Sequence, residues 1–373
     1  MKCERCGNED SRYFSWSPQG WYCRKCLRLS QDSLETWPIS HPDCEEYCLS
    51  YSLSSKQQEI SHLCRQAIET QDVLLRCVCG AGKTEMVLET IQHQLEMGKV
   101  VGFAIPRKEV VLELAERLQS IFTKASVIAV FGGHTQQLTG DIVVCTTHQL
   151  FRYQNCFDVL ILDEPDAFPF KGNSILWSWM ERAKRGHVLF LSATPNEEIL
   201  NRPNLRVFRL DRRPHGHPLV VPKKILGPKG ILCLSLLFWL RKRKDVPVML
   251  FFPSISLAKK WYWFLRKLFR CRLLTSQSED KEEVVIGFKN RDFSLLLCTT
   301  VMERGITITG VDVCVYLAEH KVFDEASLIQ MAGRVGRKFS HPSGTVLFLC
   351  AEKSLCVNRA IESIMESNAL SSL

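Results

Sequence analysis

The segment DVLLRCVCGAGKTE, residues 72–85, decides the fold, because an apolar run passes into a glycine-rich turn and then into an amphipathic helical pattern. Glycines let successive backbone N–H groups point at phosphate oxygens, and the N-terminus of the following helix favours negative charge. Lys83 then reaches the β and γ phosphates, and the Thr84 hydroxyl offers a ligand to Mg²⁺. Cys77 stands where the usual GxxxxGK[ST] spacing begins with glycine, so an ordinary glycine-rich turn is the alternative. The predicted nucleotide-binding loop consists of Gly80, Ala81, Gly82, Lys83 and Thr84.

A second, acidic motif makes this interpretation more specific. The run FDVLILDEPDAF, residues 157–168, predicts a buried strand that delivers Asp163 and Glu164 at its C-terminal end. Ligands of open α/β sheets bind at that end of the strands. Asp163 is expected to hold Mg²⁺, and Glu164 is expected to position and deprotonate the attacking water. Two solvated acids after a strand are the alternative.

Composition limits the class of protein. The chain has 373 residues, 46% of them hydrophobic, which suits two domains of ordinary size and a small module. The longest strongly apolar stretch, residues 230–240, is shorter than the roughly 20 residues that a membrane-spanning helix needs. The N-terminus has no apolar signal sequence, so the 17 cysteines are expected to be reduced thiols or metal ligands in a cytoplasmic protein.

The net charge of +8 indicates a polyanionic partner. Basic and aromatic residues alternate most densely in KKWYWFLRKLFRCR, residues 259–272, a pattern typical of nucleic-acid contact. The same stretch also reads as an amphipathic helix with a basic outer face. In that interpretation Trp261, Phe264, Leu265 and Leu268 pack inward.

The order of the patterns along the chain indicates an α/β fold. Short apolar runs alternate with helical patterns, which predicts parallel sheets covered by helices. The alternation is broken at residues 211–224, where Pro, Gly and His concentrate as in an interdomain hinge. Predicted strands lie at residues 100–105, 126–131, 142–145, 159–163, 188–192, 207–210, 248–252, 295–299, 313–317 and 345–349. The predicted domains are a metal module (1–30), a connecting segment (31–52), an ATP-binding domain (53–212) and a second domain (213–373).

The N-terminal module carries two CxxC pairs. Cys3, Cys6, Cys23 and Cys26 have the spacing of a zinc ribbon, in which two tight turns complete a tetrahedron of thiolates. So short a segment buries too little surface to fold alone, and Zn²⁺ supplies on the order of 10 kcal/mol to peptides of this kind. The sequence therefore predicts a zinc site, with redox-active dithiols as the alternative.

Three further motifs follow in a fixed order. SATP, which contains Ser192 and Thr194, comes after a strand, and its hydroxyls are suited to linking the acidic motif to the neighbouring domain. TTVMERGITI, residues 299–308, ends a strand with hydroxyls and a glycine turn. QMAGRVGR places Gln330, Arg334 and Arg337 close together on a helix. Arginines fork onto phosphate oxygens, and one contributed across a cleft supplies roughly 10³ to 10⁵ in rate. A solvated basic helix is the alternative.

Together these motifs resemble motifs I, II, III, V and VI of superfamily 2 helicases and translocases, over roughly residues 50 to 350. More narrowly, the chain resembles the late competence protein ComFA family. The cysteine pairs ahead of CGAGKTE, with PRKEVVLEL, TTHQL, DEPDAFPF and QMAGRVGRK, carry that resemblance. It implies two tandem RecA-like domains with mainly parallel sheets, preceded by a small N-terminal zinc ribbon. The implied cofactors are ATP, Mg²⁺ and Zn²⁺.

The resemblance implies further site residues. Gln57 matches the upstream glutamine that reads adenine, Gln330 belongs to the nucleotide site, and Gly305 to the coupling segment. A second set is implied to grip the nucleic-acid backbone through phosphates, so binding should tolerate changes of base sequence and weaken in salt. That set is Arg107, Gly132, Gly133, Thr146, Thr147 and His148 in the first domain, and Thr299 and Thr300 in the second.

The implied function is that of an ATP-dependent translocase, a DNA-stimulated ATPase that moves single-stranded DNA and powers DNA uptake during natural transformation. Its implied partners are single-stranded DNA and other competence proteins at a membrane DNA channel. Its implied location is the cytoplasm, peripheral at the inner face of the membrane. A PriA-like or other superfamily 2 helicase in repair or replication restart is one alternative. A zinc-dependent nucleic-acid binding scaffold with weak ATPase is another.

Overall fold

The computed structural model describes residues 1–4, 6–18, 20–26, 34, 35, 37, 47, 49, 51–299 and 308–371. The chain divides into two compact units. The first comprises Met1–Cys77 and Gly82–Leu210, and the second comprises Val78–Ala81 and Asp211–Leu373. Thr300 and Gly305, two of the predicted site residues, lie outside the described residues.

The first unit begins with the N-terminal module. Its strands β1 (Phe14–Ser17) and β2 (Gly20–Cys23) form an antiparallel hairpin in which Phe14 pairs with Cys23. After the module, helix α1 (Ser55–Ala67) starts at a capping box, in which Ser54 and Gln57 satisfy each other's backbone N–H groups.

A seven-stranded parallel sheet forms the core of the first unit. In sheet order its strands are β5-β6-β4-β7-β8-β3-β9. In chain order they are β3 (Val73–Cys77), β4 (Val101–Ile105), β5 (Val127–Val130), β6 (Ile142–Thr146), β7 (Phe157–Asp163), β8 (Lys184–Ser192) and β9 (Arg206–Leu210). The helices between them are α2 (Lys83–Met86), α3 (Leu88–Glu96), α4 (Lys108–Ile121), α5 (Ser174–Ala183) and α6 (Glu197–Leu200).

The central strands of this sheet are continuous apolar runs because helices cover both faces. Residues 159–162 of β7 are all buried, and the five residues of β4 are buried as well. At Gly102 in β4 the Phe157 ring passes so close that a Cβ would lie 2.7 Å from its Cγ atom. The central strands are therefore shielded from water, and the loops emerge at the ends of the strands.

A six-stranded parallel sheet organises the second unit, in the order β10-β15-β14-β11-β13-β12. Its strands are β10 (Lys223–Leu226), β11 (Val248–Phe251), β12 (Cys271–Leu274), β13 (Leu295–Cys298), β14 (Asp312–Tyr316) and β15 (Val346–Cys350). The helices that accompany them are α7 (Lys229–Arg241), α8 (Ile255–Leu265), α9 (Lys281–Lys289), α10 (Glu325–Ala332) and α11 (Leu355–Leu370).

The predicted fold class, α/β with parallel sheets, is confirmed, and three details differ. Strands β10 and β12 were not predicted, and β10 begins inside the segment that was interpreted as a hinge. The expected inward packing fails for Phe264, which lies in α8 but is 47% exposed, and for Leu268, which lies beyond the end of α8 at Leu265 and is 58% exposed. Among the described residues, no helix combines the length and the apolar character needed to cross a membrane.

We expect Gly102→Ala to destabilise the first unit by about 1–3 kcal/mol, because the added methyl group overpacks the contact with Phe157. Urea unfolding followed by tryptophan fluorescence measures the change in the free energy of unfolding. Gly132→Ala is the control, since a Cβ at that position meets nothing within 4 Å. Equal stability of Gly102→Ala and the wild type would contradict the described packing.

Candidate nucleotide and nucleic-acid sites

The predicted phosphate loop lies between β3 and α2. Gly82 has a φ of +82°, a left-handed conformation that disfavours residues with a Cβ. A Cβ there would also lie 2.6 Å from the Nε2 atom of Gln57. Lys83 and Thr84 are the first residues of α2, where backbone N–H groups have no partner within the helix. The local backbone therefore has the features that a phosphate-binding loop requires.

The structure brings Lys83 and Asp163 together. The Nζ atom of Lys83 lies 3.8 Å from Oδ1 of Asp163, and both side chains are half-buried. Lys83 follows the carboxyl end of β3, and Asp163 is the last residue of β7. A carboxylate, a nearby hydroxyl at Thr84 and an ammonium group are the side chains that hold Mg²⁺ and phosphates in nucleotide sites. The residues present thus fit ATP with Mg²⁺.

Glu164 has an unusual backbone. Its φ is +52°, a left-handed conformation that a non-glycine residue rarely adopts. Its N–H donates to the carbonyl of Leu191 at 2.9 Å, and its carbonyl accepts from the N–H of Ala167 at 3.0 Å. Strained residues of this kind cluster at functional sites, where surrounding structure holds them in place. This observation supports the prediction that Glu164 is a catalytic residue.

Asp166 is a site residue that sequence reasoning missed. It is buried, and its carboxylate accepts hydrogen bonds from Ser192 Oγ at 2.5 Å and from Thr194 Oγ1 at 2.9 Å. Ser192 Oγ also accepts the N–H of Thr194 at 3.0 Å. The SATP segment is therefore tied to the acidic motif through Asp166. The DEPD motif that contains Asp166 was visible in the sequence. The hydrogen bond between Asp166 and Ser192, the last residue of β8, was not.

Gln57 lies beside the loop and also belongs to the capping box of α1. Its Oε1 atom accepts from the Ser54 N–H at 2.9 Å and from Ser54 Oγ at 3.0 Å. Only 3% of Gln57 is exposed. The capping box fixes the side chain next to Gly82, and its role in reading adenine stays a prediction.

Sequence reasoning also missed a hydrogen-bonded group of three side chains directly after the phosphate loop. Glu85, in α2, accepts hydrogen bonds of 2.6 Å from Tyr51 Oη and from Arg117 Nη2. Burial raises the pKa of Glu85, but these two hydrogen bonds and the positive charge of Arg117 together hold the pKa below its ordinary value. Burial and the bond to Glu85 raise the pKa of Tyr51 to about 12. The charged carboxylate anchors the first turn after the phosphate loop.

The predicted nucleic-acid residues of the first unit follow three adjacent strands, β5, β6 and β4. Gly132, Gly133 and His148 are exposed, whereas Thr146 and Thr147 are buried. Thr147 Oγ1 has no hydrogen-bond partner among the described residues. Arg107 stands at the N-cap of α4. Their location at one edge of the sheet is observed, and their contact with nucleic acid stays a prediction.

In the second unit, the predicted residues follow β13 and α10. Thr299 is 8% exposed and comes directly after β13. Gln330 lies in α10, and its Nε2 atom has no hydrogen-bond partner among the described residues. Arg334 is 5% exposed, and Arg337 is half-buried, just beyond the end of α10. The prediction that the two arginines lie on a helix is therefore wrong, because α10 ends at Ala332 and both follow it.

The four cysteines of the N-terminal module form one cluster, whose Sγ atoms all lie within 4.8 Å of one another. The Cys3–Cys26 and Cys6–Cys23 pairs are each 3.7 Å apart, too far for disulfides. Zinc–sulfur bonds of about 2.3 Å place the corners of a tetrahedron about 3.8 Å apart, so the cluster fits Zn²⁺. Burial raises the pKa of Cys6 to about 11. Because zinc binds thiolates, metal binding would have to displace the proton of this thiol.

Two helicase families match the two units. The DEAD/DEAH box helicase family matches residues 55–201, and the helicase conserved C-terminal domain matches residues 229–339. Competence protein ComFA of Bacillus subtilis (strain 168) is 33% identical over 398 residues, which cover 99% of this chain and 86% of that protein. The chain belongs to the ComFA family. ComFA of Streptococcus pneumoniae is 32% identical and covers 98% of this chain and 90% of that protein.

Solved structures agree on the fold. Saccharomyces cerevisiae Dbp5 bound to RNA and ADP BeF3 has a TM-score of 0.64 at 16% identity, covering 85% of this chain and 92% of that one. RecG bound to a three-way DNA junction has a TM-score of 0.58 at 21% identity, covering 87% of this chain and 45% of that one. These structures show the fold, two tandem RecA-like domains. The two helicase family matches and the ComFA relatives show that this ComFA family member is an ATP-dependent, helicase-type enzyme of superfamily 2.

We expect Cys6→Ser to abolish zinc binding by this ComFA family member, because the remaining three thiolates no longer close the tetrahedron. Metal analysis of the purified protein should give one zinc per wild-type chain and none for the variant. Cys233→Ser, outside the cluster, should retain the metal. A full complement of zinc in Cys6→Ser would show that the cluster is not the metal site.

Proposed function

We propose that the protein is an ATP-driven translocase on single-stranded DNA that powers DNA uptake during natural transformation. The observation that carries the proposal is the Lys83–Asp163 contact at the carboxyl edge of a helicase-type sheet, in a chain that its ComFA relatives match over nearly its whole length. The contact supports hydrolysis of ATP, and the name of the relatives supports a role in competence.

In the proposed reaction, Lys83 binds the β and γ phosphates, while Asp163 and Thr84 hold Mg²⁺. The metal, when bound, neutralises charge on the phosphate oxygens. Glu164 orients a water molecule and takes its proton as the water attacks the γ phosphorus. Arg334 and Arg337 stabilise the charge that spreads over the γ phosphoryl oxygens as its bond to ADP breaks. The products are ADP and phosphate.

The proposed grip on DNA uses backbone phosphates, not bases. Arg107 supplies charge at the edge formed by β4, β5 and β6. The exposed Gly132, Gly133 and His148 lie at the same edge. Thr299 is the proposed contact in the second unit. Contacts of this kind do not read the base sequence, and they weaken as salt competes for the phosphates. The proposed ligand is therefore single-stranded DNA of any sequence.

The proposed cycle couples this grip to ATP. Binding of ATP draws both domains onto the nucleotide, and hydrolysis releases them, so that alternating grips ratchet the strand. In the cell we place this motor in the cytoplasm, at the inner face of the membrane, where other competence proteins form the DNA channel.

We expect Lys83→Ala and Glu164→Gln to abolish ATP hydrolysis stimulated by single-stranded DNA. Lys83→Ala removes the charge on the phosphates, and Glu164→Gln removes the base. The measurement is phosphate release with and without a single-stranded oligonucleotide. Both variants should keep the zinc content of the wild type.

Exposed groups away from the site provide the controls for this experiment. Lys289→Ala in α9 and Glu113→Gln in α4 should hydrolyse ATP at the wild-type rate. Retained turnover in Lys83→Ala or Glu164→Gln would refute the site assignment. A wild-type rate that single-stranded DNA leaves unchanged would refute the proposed DNA stimulation.

A further inference from the structure

Arg213 is a buried cation outside the site described above. It follows β9 by three residues, in the segment that sequence analysis interpreted as a hinge. Only 2% of the residue is exposed. A guanidinium group is expensive to bury unless its donors are satisfied. The position of Arg213 therefore has to be explained by what it binds.

The Nη1 and Nη2 atoms of Arg213 are directed at one short segment of backbone, while its Nε atom donates to the carbonyl of Cys79 at 2.9 Å. Nη1 donates to the carbonyls of Val335 at 2.7 Å and Gly336 at 2.5 Å, and Nη2 donates to the carbonyl of Gly333 at 2.8 Å. Gly336 has a φ of +68°, so this segment turns sharply directly after α10. One planar side chain thus fixes three carbonyls of the same turn.

The positive charge of Arg213 is matched by dipoles and not by an acid. Among the described residues, no carboxylate forms an ion pair with Arg213. Burial, together with the positive charge of Arg337, lowers the pKa of Arg213 to about 10. The group remains charged at neutral pH. A cation at the C-terminal end of a helix is favourable, because carbonyl groups there carry the negative end of the helix dipole.

The residues whose carbonyls Arg213 binds are direct sequence neighbours of the two predicted catalytic arginines. Arg334 lies between Gly333 and Val335, and Arg337 follows Gly336 directly. Helix α10 ends at Ala332, and the Val335 N–H donates to the carbonyl of Ala332 at 3.1 Å in the turn that follows. Beyond it, the carbonyl of Gly336, which directly precedes Arg337, is held by the guanidinium fork, whose donors have a fixed geometry.

His215 reinforces the same turn from the same linker. Its Nε2 atom lies 2.9 Å from the carbonyl of Gly336, and its Nδ1 atom accepts the N–H of His217 at 3.1 Å. The proton is therefore on Nε2, which donates to Gly336. Burial lowers the pKa of His215, so the ring is neutral at neutral pH and keeps this pattern.

We propose that Arg213 is a positioning residue for Arg334 and Arg337, which makes the linker after β9 part of the hydrolytic machinery. This inference rests on the proposed function, in which those two arginines stabilise the γ phosphoryl group. Arg213 itself contacts only backbone and is not a catalytic residue. Displacing a catalytic group by about 1 Å costs on the order of 10² in rate. A change in the conformation of the linker around Arg213 would then directly move the turn that carries Arg334 and Arg337.

The test is a double-mutant cycle in the full-length protein, read as the single-turnover rate constant of hydrolysis of γ-labelled ATP, with and without single-stranded DNA. We expect Arg213→Gln to lower this rate constant about a hundredfold. Arg213→Lys keeps the charge but reaches fewer carbonyls, so it should recover part of the rate. Arg212→Gln is the matched control, since Arg212 is exposed and, in the part of the chain that the structure describes, its side chain donates to the carbonyl of Gly216. Its rate should equal that of the wild type.

The decisive comparison is made in the background of the Arg334→Ala, Arg337→Ala double variant. If Arg213 acts through these two arginines, adding Arg213→Gln there should change the rate constant less than about threefold, because the effects are not additive. An equal hundredfold loss in both backgrounds, or no loss in either, would overturn the proposal. Circular dichroism melts confirm folding. If Arg213→Gln fails to fold, Arg213→Lys and His215→Ala repeat the same cycle.

The presence or absence of DNA separates the two proposals. Non-additive losses in the basal rate support the positioning role even if DNA fails to stimulate the wild type, which would contradict only the proposed function. DNA stimulation in the wild type, combined with a normal rate in Arg213→Gln, would contradict only the positioning role.

Discussion

The first unit depends on holding the Lys83 ammonium 3.8 Å from the Asp163 carboxylate. Attraction alone does not hold them, because a partly exposed ion pair is worth about 0–1 kcal/mol. The sheet does so instead. Its register pairs Asp163 with Leu191, and Leu191 with Leu75, so the loop and the acidic motif begin at the same level of one edge. The lysine and the acid are placed by backbone hydrogen bonds across β3, β8 and β7.

The same sheet separates two kinds of chemistry. Strands β7, β8 and β3 carry the acidic motif, the SATP segment and the phosphate loop, while β5, β6 and β4 carry the predicted DNA-gripping residues. The two halves meet where β4 pairs with β7. On the nucleotide side, Asp166 ties the acidic motif to Ser192 and Thr194. These bonds link the segment that follows β7 to the end of β8, the strand that pairs with β3.

The sequence predicted the buried strands well, because a strand covered on both faces is a continuous apolar run, as in residues 159–162. Strands β10 and β12 were missed because they are the two outermost strands of their sheet. Polar residues such as Lys223 occur in outermost strands, so no continuous apolar run marks them in the sequence. The phosphate loop and the cysteine cluster could be predicted, because the residues of each motif lie close together in the sequence at characteristic spacings. Asp166 and Arg213 could not, since their partners come from distant parts of the chain and only the fold brings them together.

The central claim is that hydrolysis of ATP moves this protein along single-stranded DNA. The most direct measurement is displacement of streptavidin from a biotinylated single-stranded oligonucleotide, with a partial duplex assayed in parallel for strand separation. The account predicts that the wild type with ATP displaces streptavidin and that Lys83→Ala does not. A wild-type protein that hydrolyses ATP on the same oligonucleotide and leaves the streptavidin in place would contradict it.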